Sequence, residues 1–117
     1  MDPCNLRLLA ELDDRRSMLE VVNLFLVHAP LQVKELQTSI LAQHWDKVYR
    51  QAHMLKGSLS LVYAEEGIAL LRQIEQFAID PRGKTGVDRV LERFLALFAD
   101  IESFLKETSR KLKEELT

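Results

Sequence analysis

Between Trp45 and Val62 the apolar residues fall at Trp45, Val48, Ala52, Leu55, Leu59 and Val62, in steps of three and four. Only an α-helix gathers positions with that spacing onto one stripe, and such a stripe has to be buried against something. The same period runs through most of the chain. Ser17-Met18-Leu19-Glu20 has the spacing of a capping box, followed by Val21, Val22, Leu24, Phe25 and Leu26. Pro30, lacking a backbone donor, is expected to kink or split that helix; the pattern resumes with Val33, Leu36, Ile40 and Leu41 and ends near Gln43-His44. The next helix should run from about Trp45 to Val62. Another, roughly Glu65 to Ala78, points Ile68, Leu71, Ile74 and Phe77 inward. Asp80-Pro81-Arg82-Gly83-Lys84-Thr85-Gly86 is rich in turn formers and reads as a loop. The last helix starts near Val87 and carries Val90, Leu91, Phe94, Leu97, Phe98, Ile101, Phe104 and Leu105. Beyond Lys106 the apolar density falls, so the tail is expected to be a solvated helix that frays.

Ahead of these lies a shorter pattern. Asp2-Pro3 offers a capping carboxylate and a proline suited to a first helical turn, and Leu6, Leu8, Leu9 and Leu12 follow before Asp13 to Arg16 interrupt. The fold class predicted is all-α: an antiparallel four-helix bundle with a short extra N-terminal helix, residues 1–117 forming one domain. Met1 and the capped first helix favour a complete, free-standing protein.

Composition removes several classes of function. At 47% hydrophobic and 29% charged the chain reads as soluble and globular. Its formal charge is -2, with both signs mixed along the chain, which argues against nucleic acid as a partner. No apolar run approaches the ~20 residues needed to span a bilayer, and no secretory signal is visible, so no membrane is implied. The one cysteine, Cys4, permits no internal disulfide, and the cytoplasm is the expected location. The glycines Gly57, Gly67, Gly83 and Gly86 lack the spacing of a nucleotide-binding loop. An ATP-using enzyme is therefore not expected.

A second stripe lies beside the core stripe of the 45–62 helix. Tyr49, His53, Lys56, Gly57 and Ser60 form a continuous line along the helix. His53 follows the core position Ala52, about 100° further round, so it should sit at the edge of the core and reach solvent. Glycine in mid-helix costs about 1 kcal/mol relative to alanine. Gly57, one turn above His53, clears space beside the imidazole at that cost. Lys56 brings an ammonium to the same turn. Taken singly, each has an ordinary reading: a surface histidine, a solvated lysine, a glycine that permits close packing. Together they suit a transferable phosphoryl group, because the neutral imidazole is a nucleophile, a cation offsets the phosphoryl charge, and Ser60 can add a hydrogen bond.

Ala52-His53-Met54-Leu55-Lys56-Gly57-Ser58 resembles the phosphorylation-site motif of histidine phosphotransfer (HPt) domains of two-component phosphorelays, Ala-His-x-Leu-Lys-Gly-Ser. Phe25, Pro30, Leu36 and Trp45 fall where that family tends to place similar residues, and Ile74-Glu75 resembles the Leu-Glu of its following helix. The likeness covers residues 17–78 well and the last helix only as a generic amphipathic one. It implies that His53 is phosphorylated on the ring nitrogen farther from the backbone, with Lys56 assisting electrostatically and Gly57 leaving room for the partner. Glu75 matches a position that, in some members, hydrogen-bonds and orients the other ring nitrogen; the plain alternative is an ordinary exposed carboxylate. Two departures affect helix ends. Tyr63 stands where the family often has glycine, and His44 where an aspartate cap is common, with Asp46 a possible substitute.

What the resemblance implies is a phosphocarrier. Its partners would be response-regulator receiver domains and a hybrid sensor histidine kinase, docking on an apolar patch to which Leu8, Leu12, Met18 and Met54 are candidates. No cofactor is expected on the chain itself; Mg2+ belongs to the receiver. A monomer suffices if the bundle closes. One rival is a helical docking module that binds a receiver or kinase without being phosphorylated. A metal bundle using His28, His44 and His53 is another, disfavoured because Glu-x-x-His does not occur and His44 and His53 stand nine apart.

Overall fold

The computed structural model describes residues 3–5, 14–80 and 86–117, and among them every regular element is helical. Four helices follow one another: α1 (Arg15–Leu41), α2 (Trp45–Ser60), α3 (Glu65–Ile79) and α4 (Val87–Leu116). Each packs on its neighbours in order, and α1 also packs on α4, which closes the bundle. The neighbours run antiparallel. Glu75 of α3 meets His53 and Lys56 of α2, while Gly67 sits beside Leu59. Likewise Arg15 meets Glu115 and Asn23 meets Ser109 across α1 and α4. The expected N-terminal helix, with Leu6, Leu8, Leu9 and Leu12, and residues 81–85 of the expected loop lie outside the described residues. No helix among the described residues is long and apolar enough to cross a membrane.

Proline does not divide α1. Its buried positions Val22, Phe25, Ala29, Val33, Leu36 and Ile40 keep one phase straight through Pro30. A proline inside a helix costs about 3 kcal/mol, whereas each large apolar side chain buried on this face contributes about 1.5–3 kcal/mol. The sum over the stripe holds the helix together. The start also differs from expectation. The helix begins at Arg15, and the cap is Asp14, whose Oδ1 accepts from the Ser17 backbone N–H at 2.8 Å. A carboxylate at this position satisfies an orphan amide and also faces the positive end of the helix dipole, so it outcompetes the Ser17 hydroxyl as cap.

α2 and α3, with 16 and 15 residues, span only about 22–24 Å, against about 40–45 Å for α1 and α4 with 27 and 30. The N-terminal half of α1 and the C-terminal half of α4 therefore continue past the short pair, giving a body 52 × 22 × 20 Å. The tail of α4 is not a fraying solvated end. Thr108, Ser109 and Leu112 are buried, the Thr108 hydroxyl donates to the Phe104 carbonyl, and the Ser109 hydroxyl donates to Asn23 Oδ1 at 2.7 Å. Of the inward positions expected on α3, Leu71 and Ile74 are buried and Ile68 and Phe77 half-buried, with Gly67, Leu70 and Glu75 also buried.

The two turns that flank α2, the helix carrying the site, close in the same way. After α1, Gln43 takes φ 57°, and after α2, Tyr63 takes φ 55°. In each case two crossed backbone bonds tie the turn: Gln43 N–H to Ile40 and His44 N–H to Ser39, then Tyr63 N–H to Ser60 and Ala64 N–H to Leu59. This left-handed closure favours glycine, and here bulkier residues adopt it. It also ends α2 at Ser60, although Val62 remains fully buried.

Candidate functional site

Val48, Ala52, Leu55 and Leu59 bury one face of α2 completely. That fixes the rotation of the helix and turns His53 toward the seam with α3. The His53 side chain is 67% exposed, and its Nδ1 lies 3.2 Å from Glu75 Oε2. Across a five-membered ring, the nitrogen facing Glu75 is Nδ1, so Nε2 points away from the carboxylate. With a proton on Nδ1 donated to Glu75, Nε2 carries the free lone pair. Tyr49, one turn earlier, lies nearly parallel to the imidazole, with ring centroids 6.3 Å apart and 13° between planes.

Glu75 holds more than the histidine. Its side chain is only 7% exposed, and its second oxygen, Oε1, accepts from Lys56 Nζ at 2.6 Å. A carboxylate this buried needs partners for both oxygens, and it takes one from each of two successive turns of α2. Glu75 is thus not the exposed helix carboxylate of the plain reading. Lys56, 20% exposed, is engaged with Glu75 rather than standing free beside the imidazole.

Gly57 opens the site. A Cβ built there would meet nothing within 4 Å, so the surface one turn above His53 is bare. Gly67 on α3 contrasts with it: a Cβ there would come 2.4 Å from Leu59 Cδ2, and this glycine sets the closeness of α3 to α2. Ser60 does not turn to His53, since its hydroxyl donates to the Gly57 carbonyl at 2.6 Å. The expected hydrogen bond from Ser60 is spent within its own helix. Ser58, to which no role was assigned from sequence, donates to Gln32 Oε1 at 2.6 Å and ties α2 to α1. Tyr49 was placed on the right stripe, and only its four-residue spacing from His53 hinted at ring contact.

Of the docking candidates, Met54 is 62% exposed, whereas Met18 belongs to the buried core and is removed from the surface patch; Leu8 and Leu12 lie outside the described residues. Leu61, just past the end of α2, and Leu24, Val27 and Leu31 on α1 are further exposed apolar side chains. His44 precedes α2 without a side-chain capping bond, and Asp46 sits in the first turn. Among the described residues no group of three or more His, Cys, Asp or Glu side chains is placed to hold a metal ion.

Compared with known proteins, the chain matches the family model of the Hpt domain over residues 20–116. No curated protein and no solved structure matches it significantly.

Proposed function

Because the chain belongs to the Hpt domain family, whose members are phosphocarriers in phosphorelays, interact with receiver domains and are not kinases, we propose that it relays a phosphoryl group through His53 between receiver domains. The observation that carries this reading is the setting of His53: an exposed imidazole, backed at Nδ1 by a buried carboxylate, beside a bare turn at Gly57. A receiver bearing phospho-aspartate docks over this face. The Nε2 lone pair attacks phosphorus, the N–P bond forms, the P–O bond to the aspartate breaks, and the aspartate leaves as carboxylate. The Nδ1 proton stays on the ring, where Glu75 is counter-ion to the phosphoimidazolium. In the second half the carboxylate of another receiver attacks phosphorus, the N–P bond breaks, and neutral imidazole is restored. Mg2+ held by the receiver would offset phosphoryl charge in both halves.

Docking uses Met54 on α2 and Leu61 just past its end together with Leu24, Val27 and Leu31 on α1, a combination of exposed apolar side chains that a partner can cover. We read the whole chain as one such domain, acting as a monomer with receivers and a hybrid sensor kinase in the cytoplasm. The test is transfer from a phosphorylated receiver to the wild type and to His53→Gln. Acid-labile, base-stable label on the wild type and none on the variant is the expected result. A folded wild type that takes no label from a broad panel of receivers and kinases overturns the relay and favours a docking module.

A further inference from the structure

We infer that Lys56 is a positioning residue: it acts on the relay through Glu75, keeping that carboxylate in place, and does not itself touch the phosphoryl group. The inference rests on the relay reading for its transfer arm, but not for its spectroscopic arm. Lys56 Nζ sits 2.6 Å from Glu75 Oε1 while the other oxygen of the same carboxylate faces His53. To reach a phosphoryl group on Nε2, the ammonium would have to leave a carboxylate that is only 7% exposed, and would leave it half unpartnered. The closed arrangement is also internally neutral, one cation against one anion, so it offers little net charge to an incoming phosphoryl group. That charge is offset by the partner.

The arrangement gives Lys56 a definite task. A buried carboxylate with one oxygen unpartnered would turn to find a partner. By occupying Oε1, Lys56 keeps Oε2 facing Nδ1, so that Glu75 accepts from Nδ1–H and the Nε2 lone pair stays free. Among the described residues the groups in contact with His53 are Glu75 from α3 and Tyr49 from its own helix; Lys56 reaches it through Glu75.

The deciding comparison is Glu75→Gln against the double variant Lys56→Met/Glu75→Gln, in which the buried pair is removed as a unit so that folding is spared. Glu75→Gln should slow transfer by roughly tenfold or more, the worth of a hydrogen bond to a charged acceptor. Adding Lys56→Met should change the rate by less than about twofold. A further loss of roughly tenfold in the double variant would show Lys56 acting on the phosphoryl group directly and overturn the inference. The second arm needs no partner. Imidazole ¹⁵N spectra of the unphosphorylated protein, recorded on the neutral ring, should show the proton held on Nδ1 in the wild type and in Lys56→Arg, and shared between Nδ1 and Nε2 in Lys56→Met. Identical spectra for wild type and Lys56→Met would overturn it whatever the transfer assay reads. Correct spectra with no transfer from any receiver would instead remove the relay reading alone.

Discussion

Replacing Gly57 with alanine is expected to stabilise the fold and slow the relay at once. Gly57 is an exposed residue in the interior of α2, it has no left-handed backbone, and an added Cβ meets nothing within 4 Å. The full helix-propensity difference between glycine and alanine should therefore appear, about 1 kcal/mol. With an unfolding entropy of about 2.1 cal/mol/K per residue, 117 residues give about 0.25 kcal/mol/K, so the melting temperature should rise by about 4 °C. Transfer should move the other way. The methyl group stands where a receiver must close over Nε2, and filling a tight contact costs about 1–3 kcal/mol, roughly 5-fold to 150-fold in rate. Gly57→Gln, also a good helix former, should keep the gain in stability and slow transfer further. Thermal melts followed by far-ultraviolet circular dichroism and receiver-to-protein transfer rates measure the two effects on the same samples. A destabilised alanine variant would refute the helix argument. A stable glutamine variant that relays at the wild-type rate would refute the role of clearance.

The other glycine on the same pair of helices should respond with the opposite sign. Gly67→Ala drives a Cβ to 2.4 Å from Leu59, which is fully buried, and should destabilise by about 1–3 kcal/mol in a urea titration. Gln43→Gly relieves a left-handed backbone at an exposed residue and should stabilise by about 1 kcal/mol in the same titration. Asp14 is held below its ordinary value of 3.8, chiefly by the Ser17 backbone N–H. Its cap therefore stabilises the fold above that value and is lost as the pH falls through the lowered one. The melting-temperature gap between wild type and Asp14→Ala should be open at neutral pH and closed in strong acid; a gap that persists there would mean the cap does not depend on charge.

The apolar period made α2, α3 and the start of α4 readable because their stripes consist of large side chains in unbroken phase. It placed His53 beside the core for the same reason, since the rotation of α2 follows from Val48, Ala52, Leu55 and Leu59. It failed where polar groups took core positions. Thr108 and Ser109 read as solvated residues because nothing in their own helix shows that Asn23, 86 residues before Ser109, waits to accept a hydrogen bond. Pro30 was read by its local cost, whereas the outcome was set by burial summed along α1. At the site the residues were legible and their pairing was not. Lys56 next to His53 looked like a free cation, and only the fold shows that Glu75 claims it. Tyr63 stood out against the glycine expected of the family, and the structure supplies the reason glycine is favoured there: a left-handed turn.

His53 and Glu75 stand 22 residues apart and on different helices, so the nucleophile is assembled by tertiary contact and is not a property of α2 alone. A loosened state of the chain that kept its helices but lost side-chain interlock would still present an imidazole, yet one with no fixed tautomer. Competence for transfer would thus disappear together with the near-ultraviolet circular dichroism of Trp45 and Tyr49, while the helical far-ultraviolet signal persisted. Partners that part α2 from α3 by even the length of one hydrogen bond would silence the histidine without covering it.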